Sequence, residues 1–276
     1  MTLAARHQTF REPHQRGCFV MPNPWDAGSA RMMAALGARA LATSSATHAF
    51  TLGRADPGGV SRDEALAHAG ALIAATGLPV SGDFENGFAD VPGAVAETVR
   101  LAGEVGLSGC SIEDTEMRAG HPSYPFELAV ERIRAAAAAA RGLARPFVLC
   151  ARADGVMNGS YGLAEGIRRL QAFEAAGADL LYLPVPPGRA ELMQVLAAVR
   201  KPVNALAAGP IRAMSVPELA APGVRRVSLG SQVARLTHAA IRDSMVAMLE
   251  EGSFAPRLGA ASGAEIDALL AKGAAD

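Results

Sequence analysis

Eight short apolar runs, each followed by a stretch with helix signals, recur along this chain at intervals of about thirty residues, the pattern of parallel strands alternating with helices. The runs are 18–21, 40–43, 80–84, 109–112, 147–151, 179–183, 202–206 and 225–229. Segments such as Phe147-Val148-Leu149-Cys150-Ala151 are apolar throughout rather than alternating, as strands covered on both faces must be. Eight units within 276 residues predict an α/β protein of the (β/α)8 TIM-type barrel class, whose functional groups stand at the C-terminal ends of the strands. A doubly wound open sheet is the alternative.

Helix punctuation supports the alternation. Asp26 is placed to cap a helix that stops at Gly37, and Ser61-Arg62-Asp63-Glu64 forms a capping box opening a helix that ends at Gly77. Further helices end near Gly106, Gly142 and Gly177. The first residues read as a polar leader. The Gly- and Pro-rich loop 52–59, with Arg54 and Asp56, is long enough to suggest function rather than connection alone. No boundary interrupts the chain, so residues 1–276 are expected to form one barrel domain with a tail from about residue 250, in which 263–272 reads as a helix.

Charge narrows the function. Lys and Arg number 26 against 27 Asp and Glu, a net charge of -1 that offers no footprint for nucleic acid or an anionic membrane. A small-molecule partner is expected. Cys18, Cys110 and Cys150 are isolated in apolar runs and read as reduced buried thiols, which points to the cytoplasm. No segment approaches the ~20 apolar residues of a membrane span.

If the barrel is right, the polar groups just after each strand converge: Asn23, Trp25 and Asp26; Ser44, Ser45 and Thr47; Asp83 and Glu85; Glu113 and Asp114; Arg152 and Asp154; Tyr182; Asn204; Ser228. Asp83, Glu85, Glu113 and Asp114 could not all stay ionised so close together without a cation or a raised pKa. Hard oxygen donors suit Mg2+, which retains several of its waters. The plainer roles are helix caps or surface acids, and Asp114 could face away from Glu113. Arg152 has the fork geometry to clamp a substrate carboxylate, against the plainer role of neutralising Asp154 or Glu131. Asn204 could simply tie down a turn. His48 and His121 fall in expected loops and are candidates for proton transfer, as is Tyr182, whereas His238 on a helix reads as structural.

In Pro22-Asn23-Pro24-Trp25-Asp26-Ala27-Gly28-Ser29-Ala30-Arg31, Ser81-Gly82-Asp83-Phe84-Glu85-Asn86-Gly87-Phe88, Ser111-Ile112-Glu113-Asp114, Ala151-Arg152-Ala153-Asp154 and Val227-Ser228-Leu229-Gly230, the chain resembles the isocitrate lyase and phosphoenolpyruvate mutase superfamily. That resemblance implies a phosphoenolpyruvate/pyruvate-type barrel with its last helix swapped between subunits, in a homo-oligomer (dimer or tetramer). It implies Mg2+, or Mn2+, held directly by Asp83 with Asp56, Glu85 and Glu113 holding its waters. It also implies that Ser44, Ser45 and Ala46 grip the oxygens of a 2-oxo acid or enolate while Arg152 binds the substrate.

The chain also departs from the pattern. The lyase lid Lys-(Lys or Arg)-Cys-Gly-His, whose Cys is an acid, is replaced by Met117-Arg118-Ala119-Gly120-His121, and Ala119 has no proton to give. Glu85 stands where many relatives have Asp. The expectation is a Mg2+-dependent lyase acting on a small 2-oxo or 2-hydroxy dicarboxylate through an enolate, of oxaloacetate decarboxylase type. A phosphonate-processing mutase or hydrolase is the alternative, and a catalytically inactive barrel that binds a 2-oxo acid is the rival outside enzymology. The substrate set comprises Ser44, Ser45, Ala46, Arg152, Asn204, Trp25 and Tyr182, with Arg152, Ser44, Ser45 and His121 as the catalytic candidates.

Overall fold

The computed structural model describes residues 3–255 and 259–275. Eight strands, β1 (Phe19–Met21), β2 (Leu41–Ala42), β3 (Val80–Asp83), β4 (Gly109–Glu113), β5 (Val148–Arg152), β6 (Leu180–Tyr182), β7 (Val203–Leu206) and β8 (Val224–Ser228), form one sheet in the order β1, β8, β7, β6, β5, β4, β3, β2. All of its pairings are parallel. The two outer members curl together. Ala42 N–H donates to the Pro22 carbonyl at 3.0 Å, and Asn23 Nδ2 donates to the Thr43 carbonyl at 2.9 Å. Asn23 Oδ1 in turn accepts from the backbone of Leu229 (3.0 Å) and Gly230 (2.9 Å), so one amide ties the ends of β1, β2 and β8. The sheet is a nearly closed (β/α)8 barrel, and the open alternative is excluded.

The helices are α1 (Leu3–Arg11), α2 (Ala27–Ala35), α3 (Ser45–Thr51), α4 (Arg62–Ala75), α5 (Pro92–Val105), α6 (Phe126–Gly142), α7 (Gly155–Asn158), α8 (Leu163–Ala176), α9 (Arg189–Ala198), α10 (Val216–Ala220), α11 (Gln232–Leu249) and α12 (Gly263–Lys272). Both capping boxes form. Asp26 accepts from Ser29 N–H at 2.6 Å, and Ser61 N–H donates to Glu64 at 2.9 Å while Ser61 Oγ accepts from Glu64 N–H at 3.3 Å. Among the described residues no helix is long and apolar enough to cross a membrane.

Strand alternation assigns the side chains to two faces. Leu41, Val80, Cys110, Ile112, Leu149, Ala151 and Leu181 point outward, into a shell closed by Leu72, Val95, Val99, Ile133, Leu170 and Phe173 of the helices. Met21, Ala42, Cys150, Leu180 and Tyr182 point inward and meet Phe10. Phe10 corrects the reading of a polar leader: His7, Phe10 and His14 recur at helical spacing, all are buried, and the α1 segment plugs the barrel from its N-terminal end. A second correction concerns 44–48, expected as a loop. Ser44 caps α3 there, accepting from Thr47 N–H at 3.5 Å, so His48 stands on a helix. Cys18 is half-buried, and Cys110 and Cys150 are buried; all three are free thiols.

At the C-terminal end, α12 folds back on α2. The approach is so close that a Cβ on Gly273 would lie 1.8 Å from the Arg31 carbonyl oxygen. The long α11 buries only Ala234 and Ala247, leaving Leu236, Ile241, Met245 and Leu249 exposed.

Candidate active site

The inward residues at the strand ends meet at the barrel mouth because the register brings them level. Asp83 pairs across to Ser111, Glu113 to Arg152, and Arg152 to Tyr182. Asp83 is the centre of the group. Its Oδ2 accepts from Ser45 N–H (3.1 Å) and lies 3.3 Å from Ser45 Oγ, its Oδ1 accepts from Ser111 Oγ (3.2 Å) and Arg152 Nη1 (2.9 Å), and its own N–H donates to Thr43 Oγ1 (2.7 Å). Arg152 Nη1 also lies 3.0 Å from Glu113 Oε2. The other edge of that guanidinium grips Asp154 by two hydrogen bonds, Nε to Oδ1 at 3.2 Å and Nη2 to Oδ2 at 2.7 Å. The Tyr182 ring lies beneath, 5.1 Å from the guanidinium carbon.

The acids are crowded in the way their sequence positions imply. Burial, helped by the charges of Asp83 and Asp56, pushes Glu85 up to about 7 against the pull of the Gly58 N–H, which donates to it at 3.1 Å. Burial pushes Glu113 well above the carboxylate range, and Arg152 draws it back. Asp56 is raised by its surroundings and by Asp83, and is opposed by a hydrogen bond with Ser45. Arg152 is the cation that partly balances this set. Its own pKa is raised by Asp154, Glu113 and Asp83 in spite of burial.

The turn after β3 that carries Glu85 is held in a demanding backbone conformation. Glu85 (φ 45°), Gly87 (φ 79°) and Phe88 (φ 58°) all adopt the left-handed region, which a side chain resists. Arg132 holds this turn from behind. It is buried, stacks 4.0 Å from the Tyr124 ring, and donates to the carbonyls of Asn86, Ala89 and Asp90.

Not every predicted residue reaches the centre. Asp114 turns away from Glu113, one of the orientations its sequence position allowed, but it is buried rather than a surface acid. It accepts from Asp154 N–H (2.8 Å), Tyr161 Oη (2.7 Å) and Arg169 Nη1 (2.9 Å), and so buttresses the acid that grips Arg152. Gly155 makes this possible, since a Cβ there would lie 2.1 Å from the Tyr161 ring. Asn204 pairs across to Tyr182 but has both ends of its amide engaged, Nδ2 donating to Ser228 Oγ (2.9 Å) and Oδ1 accepting from Arg226 Nε (2.8 Å). Ser44 is engaged as a helix cap, which leaves Ser45, with Ala46 behind it, as the α3 residue bonded to Asp83. Trp25 is half-buried, and its carbonyl meets His68 Nε2 at 3.0 Å.

Of the histidines, His48 stacks on His68 at 4.0 Å, both lowered chiefly by burial. His121 lies in the segment after β4 with φ 44°; its Nδ1 is buried without a hydrogen-bond partner, and it is close enough to influence Asp56. His238 packs edge-on against Phe50, a structural role.

Four contributors escaped the sequence reading. Ser111 stands two residues before Glu113 and so shares its face; that spacing was a usable signal. Thr43 closes the predicted strand 40–43, directly before Ser44, which was also a usable signal, whereas Tyr161 and Arg169 reach the site from elsewhere in the chain without any local mark.

No group of three or more His, Cys, Asp or Glu residues among those described is arranged as a ready metal cage. The donor set nevertheless fits a hard cation of the Mg2+ kind, which uses one or two carboxylates and keeps its waters. Asp83, Glu85, Glu113 and Asp56 are all oxygen donors; burial, aided by neighbouring carboxylates, raises the last three, and Arg152 lies against the group 2.9 Å from Asp83.

The family model for phosphoenolpyruvate phosphomutase matches residues 10–249. The crystal structure of a provisionally described lyase/mutase from Burkholderia cenocepacia J2315 is 45% identical, with a TM-score of 0.91 over 98% of this chain and 96% of that one. Oxaloacetate decarboxylase of Paraburkholderia xenovorans LB400 is 31% identical over 237 residues, 83% of this chain and 77% of the relative. Oxaloacetate acetylhydrolase in complex with its product oxalate is 25% identical, with a TM-score of 0.85 over 97% and 94% of the two chains. With the family model matched over residues 10–249 and a 31%-identical relative covering 83% of the chain, this chain belongs to the isocitrate lyase and phosphoenolpyruvate mutase superfamily.

Proposed function

We propose that this protein is a divalent-metal-dependent lyase that cleaves the carbon-carbon bond next to the keto group of a small 2-oxo dicarboxylate, with oxaloacetate as the leading substrate. The observation that carries this reading is the pairing of Arg152 with Asp154 on one edge, which aims the other edge across the barrel mouth at Asp83. A guanidinium so fixed is a carboxylate receptor whose orientation is set before substrate arrives.

Asp83, surrounded by Glu85, Glu113 and Asp56, would hold Mg2+ or Mn2+, and the bound ion would supply positive charge where an enolate forms. The chain's own groups do the rest. Arg152 holds a substrate carboxylate, and Ser45 presents its N–H and hydroxyl to the same side as Asp83. In decarboxylation the bond to the departing carboxylate breaks, carbon dioxide leaves, and the bonding pair becomes the enolate of pyruvate, which then takes up a proton. His121, with its unpartnered Nδ1 near Asp56, is positioned to deliver that proton. Decarboxylation has no substrate hydroxyl to deprotonate, and with His121 delivering the one proton the enolate takes up, Ala119 in place of an acidic Cys is no obstacle. The relative named oxaloacetate decarboxylase supports this choice.

The exposed stripe Leu236, Ile241, Met245 and Leu249 on α11 supports assembly of copies through that helix, as a dimer or tetramer. Free thiols support a reducing, cytoplasmic setting.

Calorimetric titration with oxalate, a planar mimic of enolpyruvate, tests the site with and without Mg2+. The expected result is saturable, Mg2+-dependent binding together with pyruvate release from oxaloacetate in a panel of 2-oxo acids and phosphonates. Oxalate binding indifferent to the metal overturns the reading. Turnover of phosphonopyruvate alone would move the assignment to a phosphonate enzyme.

A further inference from the structure

We propose a second anion site at the opposite, N-terminal end of the barrel, suited to a compact phosphate-bearing molecule. A cavity of about 380 Å³ opens there beneath the starts of β5 to β8. Four cationic side chains line it, Arg11, Arg200, Lys201 and Arg225, against the single carboxylate of Asp179. The chain as a whole carries a net charge of -1, so this concentration of cations is a local feature rather than a reflection of composition.

None of the four cations makes an ion pair among the described residues. Asp179 is already committed, accepting from Leu149 N–H at 3.0 Å. Like charges held round one concavity repel one another and raise the local concentration of anions.

His14 lines the cavity, and its Nδ1 donates to the Phe10 carbonyl at 2.8 Å. The cavity is too small for a folded partner and has its apolar wall at Leu196, Val199 and Val203. A small organic phosphate, with oxygens toward Arg225 and Lys201 and its carbon body on that wall, matches both features. This site lies at the far end of the strands from Asp83 and Arg152 and needs neither.

Inorganic pyrophosphate is the probe, titrated calorimetrically into the full-length protein at low and moderate salt. Saturable binding at one site per chain is expected, weakening as salt screens it. Arg225→Ala combined with Lys201→Ala should weaken it at least tenfold with an unchanged circular dichroism spectrum, while Arg152→Ala leaves it intact. Ring resonances of His14 should move on titration. Absence of saturable binding overturns the proposal. So does binding that survives the double substitution but is lost in Arg152→Ala, which would place the anion in the barrel mouth. Because the readout is binding rather than turnover, failure of the lyase assignment leaves this result unaffected.

Discussion

The backbone N–H of Asp154 donates to Asp114 at 2.8 Å, so an acid adjacent in sequence to Glu113 works from the opposite side of the strand end. It fixes the carboxylate that fixes Arg152. Replacing Asp114 with Ala removes three hydrogen bonds and leaves the Arg169 guanidinium, itself buried, with Glu165 as its one remaining ion-pair partner among the described residues. Breaking a buried pair from one side typically destabilises by about 3 kcal/mol or more. Urea unfolding of Asp114→Ala should show a loss of that order; a change within error would mean the buttress carries no load.

Asp83→Ala should leave the unfolding midpoint nearly unchanged, because Arg152 keeps Asp154 and Glu113 as partners. Turnover of oxaloacetate should fall by more than about 100-fold, the scale on which removing one aimed electrostatic contributor acts. Activity within a few-fold of the parent would refute the placement of the metal.

Arg152→Lys keeps the charge and discards the fork. A single ammonium cannot grip both oxygens of Asp154 and also reach Asp83, so kcat/KM should drop by about 100-fold, mostly through KM if Arg152 chiefly binds substrate. Steady-state kinetics that show Lys substituting freely would reduce Arg152 to a counter-charge.

Acid should destabilise the fold through its buried imidazoles. In the unfolded chain His14 takes up a proton near 6.5, whereas burial, aided by the nearby Arg226 charge, holds it down to about 3 in the fold. Burial and the neighbouring His48 hold His68 at about 4. The unfolded state therefore binds more protons across the intervening window, and stability must decline as pH falls from 6.5 toward 4. Chemical unfolding at stepped pH should show that decline, and His14→Asn should flatten it. Equal pH slopes for parent and variant would show that His14 is not the group responsible.

Leu236→Glu with Ile241→Glu places two charges on the exposed stripe of α11. Analytical ultracentrifugation should show a shift to smaller species, while the circular dichroism spectrum is kept. An unaltered sedimentation coefficient would remove α11 from the interface.

The eight strands were legible because apolar runs on a fully covered sheet leave few other options, and the mouth residues followed from strand alternation once the barrel was assumed. Asp83, Glu113 and Arg152 were found in this way. The helix at Ser45–Thr51 was missed because Ser, Thr and His have modest helix propensity, and the cap supplied by Ser44 has the same composition as a loop. The α1 plug was missed because three inward residues spread over two turns, His7, Phe10 and His14, barely colour a polar segment. Asp114 could not be assigned a side from sequence, since its partners Tyr161 and Arg169 are 47 and 55 positions away. Local pattern carries no information about such distances.

The side-chain amide of Asn23 bonds to backbone groups at Leu229 and Gly230, 206 and 207 positions further along. A chain emerging from the ribosome cannot complete that stitch until its last strand has been synthesised and has cleared the exit tunnel. Until then β1 and β2 have open edges, the kind that can pair with other chains. Asn23 is thus a seal on the finished ring, set only once β8 has been made.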